Sequence, residues 1–175
     1  MSFVIFPAGP SDAEDLARVH VASWRETYRG LLPDAYLARM SEVAHARRFA
    51  RALLRPGPDE IVLVAADRQG LAAYVGGGAA RTRANGEAEI STLYVLRQAQ
   101  GQGLGAWLLR DAARALQSLG AQRLKISVLR DNFQARGFYE HLGGKPDPAR
   151  QEPGPGGRLL YEVAYRWRDI GVLTG

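Results

Sequence analysis

The chain has 175 residues, 46% of them hydrophobic and 23% charged, with no cysteine and a formal net charge of +5. Those numbers suit one globular domain over 1–175, exclude disulfides and cysteine–zinc sites, and leave no run near the ~20 apolar residues of a membrane span. All but two of the 23 basic residues are arginine, scattered from Arg18 to Arg168. Such a balance fits an anionic partner, such as nucleic acid or a phosphorylated cofactor, or a plain compositional preference.

The opening "MSFVIFPAG" lacks the basic segment of a secretory signal, so the expected location is cytoplasmic. Its "FVIF" (3–6) reads as a short strand. Ser11 and Glu14 have the spacing of a capping box, and a helix follows over roughly 12–28. Pro33 opens a helical turn and Ser41 caps another helix, whose stripe Val43, Ala46, Ala50, Leu53 and Leu54 is expected to be buried.

Strands then dominate. "IVLVAA" (61–66) and "LAAYVGGGAART" (71–82) flank a turn, and Gly76–Gly78 predict a bulge or a close backbone approach. Asn85-Gly86 is a hairpin signal, so "AEISTLYVL" (88–96) is antiparallel to the strand before it. Beyond a glycine segment, Leu104, Leu108, Ala112 and Leu116 mark a helix that Gly120 ends. "RLKISVL" (123–129) is a strand, and Asp131 or Asn132 caps a helix that stops at Gly143-Gly144. Residues 145–157 read as a loop and 158–167 as the last strand. The order predicts a mixed α/β (α+β) sheet with helices on it.

"GQGLG" is the informative stretch. Each glycine inside a helix costs about 1 kcal/mol against alanine, yet Gly101, Gly103 and Gly105 stand where a helix begins. A strand-to-helix turn presents unpaired N–H groups and a positive dipole end, and bare backbone lets a phosphate reach them. A turn with awkward dihedrals is the other reading. The segment lacks the Gly-Lys-Ser/Thr end of a P-loop. It fits G-x-G-x-x-A, but no ribose-binding acid lies at the dinucleotide spacing and a hairpin precedes it.

With "AEISTLYV" before "QGQGLG", and Asn132, Ala135, Tyr139 and Gly143 after it, the chain resembles the GNAT superfamily of N-acetyltransferases over 88–144. The resemblance implies a mostly antiparallel sheet with one splayed parallel pair, helices on both faces, and acetyl-CoA in the gap, with no metal. It implies that the backbone of Gln100, Gly101, Gln102, Gly103, Leu104, Gly105 and Ala106 holds the pyrophosphate. Leu93, Tyr94 and Val95 would pair with the pantetheine arm, and Asn132 would touch the cofactor, cap its helix, or do both. The family normally has Gly-Phe where this chain has Gly143-Gly144.

By the same resemblance an amine attacks the thioester directly. Tyr139 stands at the general-acid position, or is a core aromatic beside Phe138. Glu89 stands where histone acetyltransferases carry a base, or is a strand residue in an ion pair. The glutamate of the ribosomal-protein acetylating branch is replaced by Ser127, and deprotonation through water is a further route.

Trp24, Glu26 and Tyr28 are acceptor-wall candidates, while His20 reads as a core histidine and Arg47, Arg51 and Arg55 as a solvated stripe. A small-molecule amine or a protein N-terminus is the expected acceptor. No nucleic-acid or membrane partner is expected, and a homodimer is left open. A non-catalytic acyl-CoA-binding regulatory module is the alternative function.

Overall fold

The structure is a computed structural model that describes residues 2–79 and 86–175. Strands β1 (Val4–Pro7), β2 (Glu60–Asp67), β3 (Gly70–Ala79) and β4 (Glu87–Val95) are antiparallel neighbours in that order. Next to β4 lies β5 (Arg123–Leu129), the one parallel partner among the described strands. Beyond it come β6 (Lys145–Pro146), β7 (Arg150–Pro153) and β8 (Leu159–Trp167). β8 runs antiparallel to β5 and carries β6 and β7 on its other edge.

Helices cover both faces. On one face α4 (Leu104–Ser118) buries Leu104, Leu108, Leu109, Ala112, Ala113 and Leu116 against β2, β3 and β4. Each such leucine contributes about 1.5–3 kcal/mol of apolar burial. The helices α5 (Phe133–His141) and α6 (Gly171–Thr174) join that core through Tyr139 and Leu173. On the other face α1 (Ala13–Thr27) sets Leu16 and Val19 against Val64, Leu71 and Tyr74. A short helix α2 (Asp34–Ala38) follows, and α3 (Glu42–Leu54) lies on α1.

The glycine run in β3 meets an irregularity that positions the site. Gly76 pairs with Thr92 and Gly77 with Ile90, so Ser91 is an extra residue on β4. A side chain on Gly77 would put its Cβ 2.4 Å from the Glu89 carbonyl oxygen, so only glycine allows the two strands to approach there. The Ser91 hydroxyl donates to the Gly76 carbonyl at 3.2 Å. A bulge adds twist and bends its strand. The parallel ladder runs from Glu87 opposite Arg123 to Ile90 opposite Ile126 and ends at this bend. Beyond it, 91–95 and 127–129 part.

Several local expectations change. The first helix is preceded by a 3-10 turn over Pro10–Asp12, and its capping carboxylate is Asp12, which accepts from the Gly9 N–H at 2.7 Å, instead of a Ser11–Glu14 box. Ser41 does cap α3 by accepting from Ala44 N–H. The α3 stripe is only partly buried: Val43 and Leu54 are exposed, while Leu53 packs against the core, because α3 lies mainly on α1 and reaches the sheet chiefly where Phe49 meets Tyr74. Residues 145–157 are not a plain loop, since β6 and β7 pair with β8. The α6 turn was not expected. Asn85 of the hairpin signal and residues 80–82 of the second strand lie outside the described residues.

Candidate active site

The parted strands open a cleft of about 930 Å³. Its walls are Glu89–Val95 of β4, Lys125–Leu129 of β5, the turn into α4, α5, the end of α1, and the hairpin of β7 and β8. That geometry offers a slot with one exposed strand edge along it and a helix N-terminus at its end.

At that end the glycines divide by cause. Gly101 and Gly103 have φ of +74° and +77°, a region that glycine enters without strain, and space above them is open. Gly105 is bare for packing, since a Cβ there would lie 3.3 Å from Phe138. The first bond of the helix is Trp107 N–H to Gly103 carbonyl. Among the described residues the N–H groups of Gly101 to Ala106 therefore have no acceptor. Clustered free N–H groups with left-handed glycines form a concavity suited to an anion. Gln100, Gly101, Gly103, Leu104, Gly105 and Ala106 line the cleft. Gln102 does not; its amide donates to Gln98 carbonyl at 3.4 Å.

Along β4, Leu96 N–H donates to Ala72 carbonyl at 2.9 Å. In an antiparallel ladder this fixes the alternation: the backbone groups of Tyr94 turn to β3, and those of Leu93 and Val95 turn to the cleft. The Val95 carbonyl already accepts from Gln100 Nε2 at 2.9 Å, and Gln100 Oε1 accepts from Gln134 Nε2 at 3.2 Å. Gln100 thus ties the end of β4 to α5 across the mouth. Asn132 caps α5, its Oδ1 accepting from Ala135 N–H at 3.2 Å, and also lines the cleft.

Tyr139 lies on the cleft wall, 6% exposed, among Phe138, Tyr165 and Trp167. Among the described residues its hydroxyl has no hydrogen-bond partner. Burial, helped by the Tyr28 hydroxyl, pushes its pKa up. A phenol so held keeps its proton across the ordinary pH range. Gly143 adopts φ +86° to end α5, and Gly144 lies where a Cβ would meet the Trp167 ring at 2.8 Å. That close approach accounts for a small residue at the position.

Of the acceptor-wall candidates, Trp24 and Tyr28 reach the cleft and Glu26 does not. Glu26 Oε2 instead accepts from Arg97 N–H at 3.1 Å, bracing the 3-10 turn Arg97–Ala99 after β4. Tyr28 and Tyr94 share a hydroxyl–hydroxyl hydrogen bond of 2.9 Å. Among the described residues the buried Trp24 indole Nε1 has no partner. His20 sits in the core with Nδ1 2.5 Å from the Tyr74 hydroxyl.

Glu89 lines the cleft from the paired part of β4, with its side chain 43% exposed. Its Oε1 lies 3.3 Å from Lys125 Nζ, directly across the parallel ladder. Two more carboxylates on the wall, Glu152 of β7 and Glu162 of β8, were missed by sequence reasoning. Glu162 gave a faint signal as a polar residue in "LLYEVAYRW", but nothing in the sequence placed it beside Glu89. Its pKa is raised, by burial first and then by Glu152; Lys125 pulls the other way and Glu89 adds to the rise.

A family model described as the acetyltransferase (GNAT) family matches residues 21–144. An uncharacterized N-acetyltransferase, YuaI of Bacillus subtilis (strain 168), is 28% identical over 165 residues, covering 93% of this chain and 91% of that protein. The paia N-acetyltransferase of Thermoplasma acidophilum, solved in complex with coenzyme A, superposes with a TM-score of 0.74 at 20% identity, over 95% of this chain and all of that one. The yncA protein of Salmonella typhimurium, solved with its cofactor acetyl-CoA, gives 0.72 at 17% identity over 97% and 95% of the two chains. At these identities the two superpositions speak for the fold.

Proposed function

This chain belongs to the GNAT acetyltransferase family, and on that premise we propose that it moves an acetyl group from acetyl-CoA to a primary amine by direct attack. The observation that carries this reading is the end of the β4–β5 ladder at Ile90 and Ile126, which opens a slot onto the free N–H groups of Gly101 to Ala106.

The residues present fit the cofactor's chemistry. The diphosphate would lie on the N–H groups at the start of α4, where fixed dipoles favour negative charge. The pantetheine amides would pair with the free edge of β4 at Leu93 and Val95, extending the sheet as a pseudo-strand. Tyr94 contributes its ring and hydroxyl to the acceptor side, since its backbone is engaged by β3. A backbone N–H on that edge would polarise the thioester carbonyl in the manner of an oxyanion hole.

The attacking nitrogen must be neutral, although an alkylammonium loses its proton only near ~10. It forms a bond to the carbonyl carbon, the carbon–sulfur bond breaks, and the thiolate leaves. Tyr139 is placed in the acid role, its hydroxyl donating to the departing sulfur. Glu89 stays in the site as a carboxylate already engaged by Lys125.

A titration of the protein with acetyl-CoA, followed by thermal shift, tests the cofactor site; no shift at millimolar acetyl-CoA would overturn it. Thiol release from acetyl-CoA with a panel of primary amines tests the transfer. Binding without release on any of them would leave an acyl-CoA-binding module instead.

A further inference from the structure

We propose that the acceptor enters the cleft as a cation docked against Glu152 and Glu162, and that the Glu162 carboxylate takes the proton the reacting amine must lose. This deepens the acetyltransferase reading and rests on it.

The placement follows from alternation in three strands. Ala88 and Ile90 of β4, Leu124 and Ile126 of β5, and Val163 and Tyr165 of β8 are buried on the α4 face. Glu89, Lys125 and Glu162 therefore share the opposite face. Glu89 stands across from Lys125 in the stretch where β4 and β5 still pair. Glu162 stands across from Leu129, in the stretch where they have parted. One carboxylate is thus tied at the closed end, and the other borders the open slot.

The charges around Glu162 come from each neighbouring element. Glu152 on β7, Lys125 on β5 and Glu89 on β4 all act on it, and its own charge raises the pKa of Tyr28 at the end of α1. Arg150 of β7 is its cross-strand partner. Among the described residues Arg150 makes no ion pair with it, and Glu162 has no hydrogen bond or ion pair at all. Three glutamates and one lysine line the cleft, and among the described residues no arginine does. In a chain of net charge +5, rich in arginine, that is a local reversal of sign. The raised pKa of Glu162 supports a group that can hold a proton transiently.

A second observation points to a ligand in the same place. Among the described residues the Trp24 indole N–H is buried without a partner, and Tyr139, a residue 6% exposed, has no hydrogen bond to its hydroxyl. Buried polar groups are ordinarily hydrogen-bonded. Both lie on the wall of this cleft.

The step balances. The ammonium gives one proton to the Glu162 carboxylate, the neutral nitrogen forms its bond to the acetyl carbon, and the thiolate departs and takes a proton from Tyr139. Tyr139 recovers one from the nitrogen of the product amide, and Glu162 releases its own to solvent. The sum is ammonium plus thioester giving amide, thiol and one proton.

The test uses the full chain, acetyl-CoA, and two acceptors, 1,4-diaminobutane and n-butylamine, with thiol release followed from about pH 6 to about pH 10. The diamine, which keeps a second positive charge, should show kcat/KM at least about tenfold above butylamine. Glu162→Gln should lower kcat/KM for the diamine by about 100-fold and flatten the acid limb of its pH profile, with Glu162→Asp recovering part of the loss. Acetyl-CoA thermal shifts should be unchanged in every variant. A wild-type pH profile in Glu162→Gln overturns the proposal. So does equal use of the two amines, or turnover of neither while acetyl-CoA still binds, and both results leave the acetyltransferase reading standing. The preference of the unmodified protein for the diamine decides the matter even if a variant fails to fold. Absence of acetyl-CoA binding in the unmodified protein would remove both readings together.

Discussion

Ile90 and Ile126 are the last residues at which β4 and β5 pair, and the very next residue of β4, Ser91, is the one its bulge leaves unmatched. The bend and the opening are one feature. A strand that carries an extra residue twists away from its neighbour, and the hydrogen-bonding edge it exposes is what an extended ligand can take up.

Gly77 makes that feature possible, which gives a stability prediction. Gly77→Ala should destabilise the protein by about 1–3 kcal/mol, because the new Cβ meets the Glu89 carbonyl oxygen and one strand must shift. Urea unfolding measures it. A change within a few tenths of a kcal/mol would mean that the bulge tolerates a side chain and does not depend on glycine.

Gly103 separates backbone strain from ligand binding. Gly103→Ala should cost about 1 kcal/mol of stability through its φ of +77°, with open space for the methyl group. Gly103→Glu adds bulk and a negative charge beside the free N–H groups. It should weaken acetyl-CoA binding by at least about tenfold beyond Gly103→Ala, read by calorimetry. Equal affinities for acetyl-CoA in the two variants would remove the diphosphate from this turn.

Tyr139→Phe leaves the ring packing among Phe138, Tyr165 and Trp167 intact and deletes one hydroxyl. Turnover should fall by about 100-fold while acetyl-CoA affinity stays level. Unchanged kcat in a steady-state assay would return Tyr139 to a purely structural part.

His20 supplies a pH dependence of stability. Burial, then His45 and Arg48, lower its pKa from 6.5 to about 4 in the folded chain. Between those values the unfolded chain binds a proton that the folded chain refuses. Stability is therefore full above about 6.5 and falls as the pH drops towards about 4, by on the order of 3 kcal/mol. Urea midpoints at about pH 7 and about pH 4.5 should differ more in the unmodified protein than in His20→Gln. Equal differences would show that His20 is protonated in the folded state.

Much of the fold was legible because local patterns carried it. The 3.6-residue period of Leu104, Leu108, Ala112 and Leu116 gave α4, and Gly76–Gly78 announced an irregularity that the ladder displays at Gly76 and Gly77. Which strand holds the extra residue was not legible, because that depends on the register of two strands. The α3 stripe misled for a related reason: the period shows that one face is apolar, not whether a sheet or another helix covers it. The edge strands at 145–146 and 150–153 lack alternation, and they pair only because β8 offers an edge.

The sequence by itself determined the glycine turn, the strand before it and the tyrosine helix after it, since each rests on dihedral preference, period or capping among residues close along the chain. Only the tertiary structure decided the charges of the cleft. Glu89 meets Lys125 through a parallel pairing, and Glu162 reaches the same wall because β8 inserts beside β5. Contacts between residues far apart in sequence follow from strand order, and strand order is settled by the burial of the whole sheet rather than by any one segment.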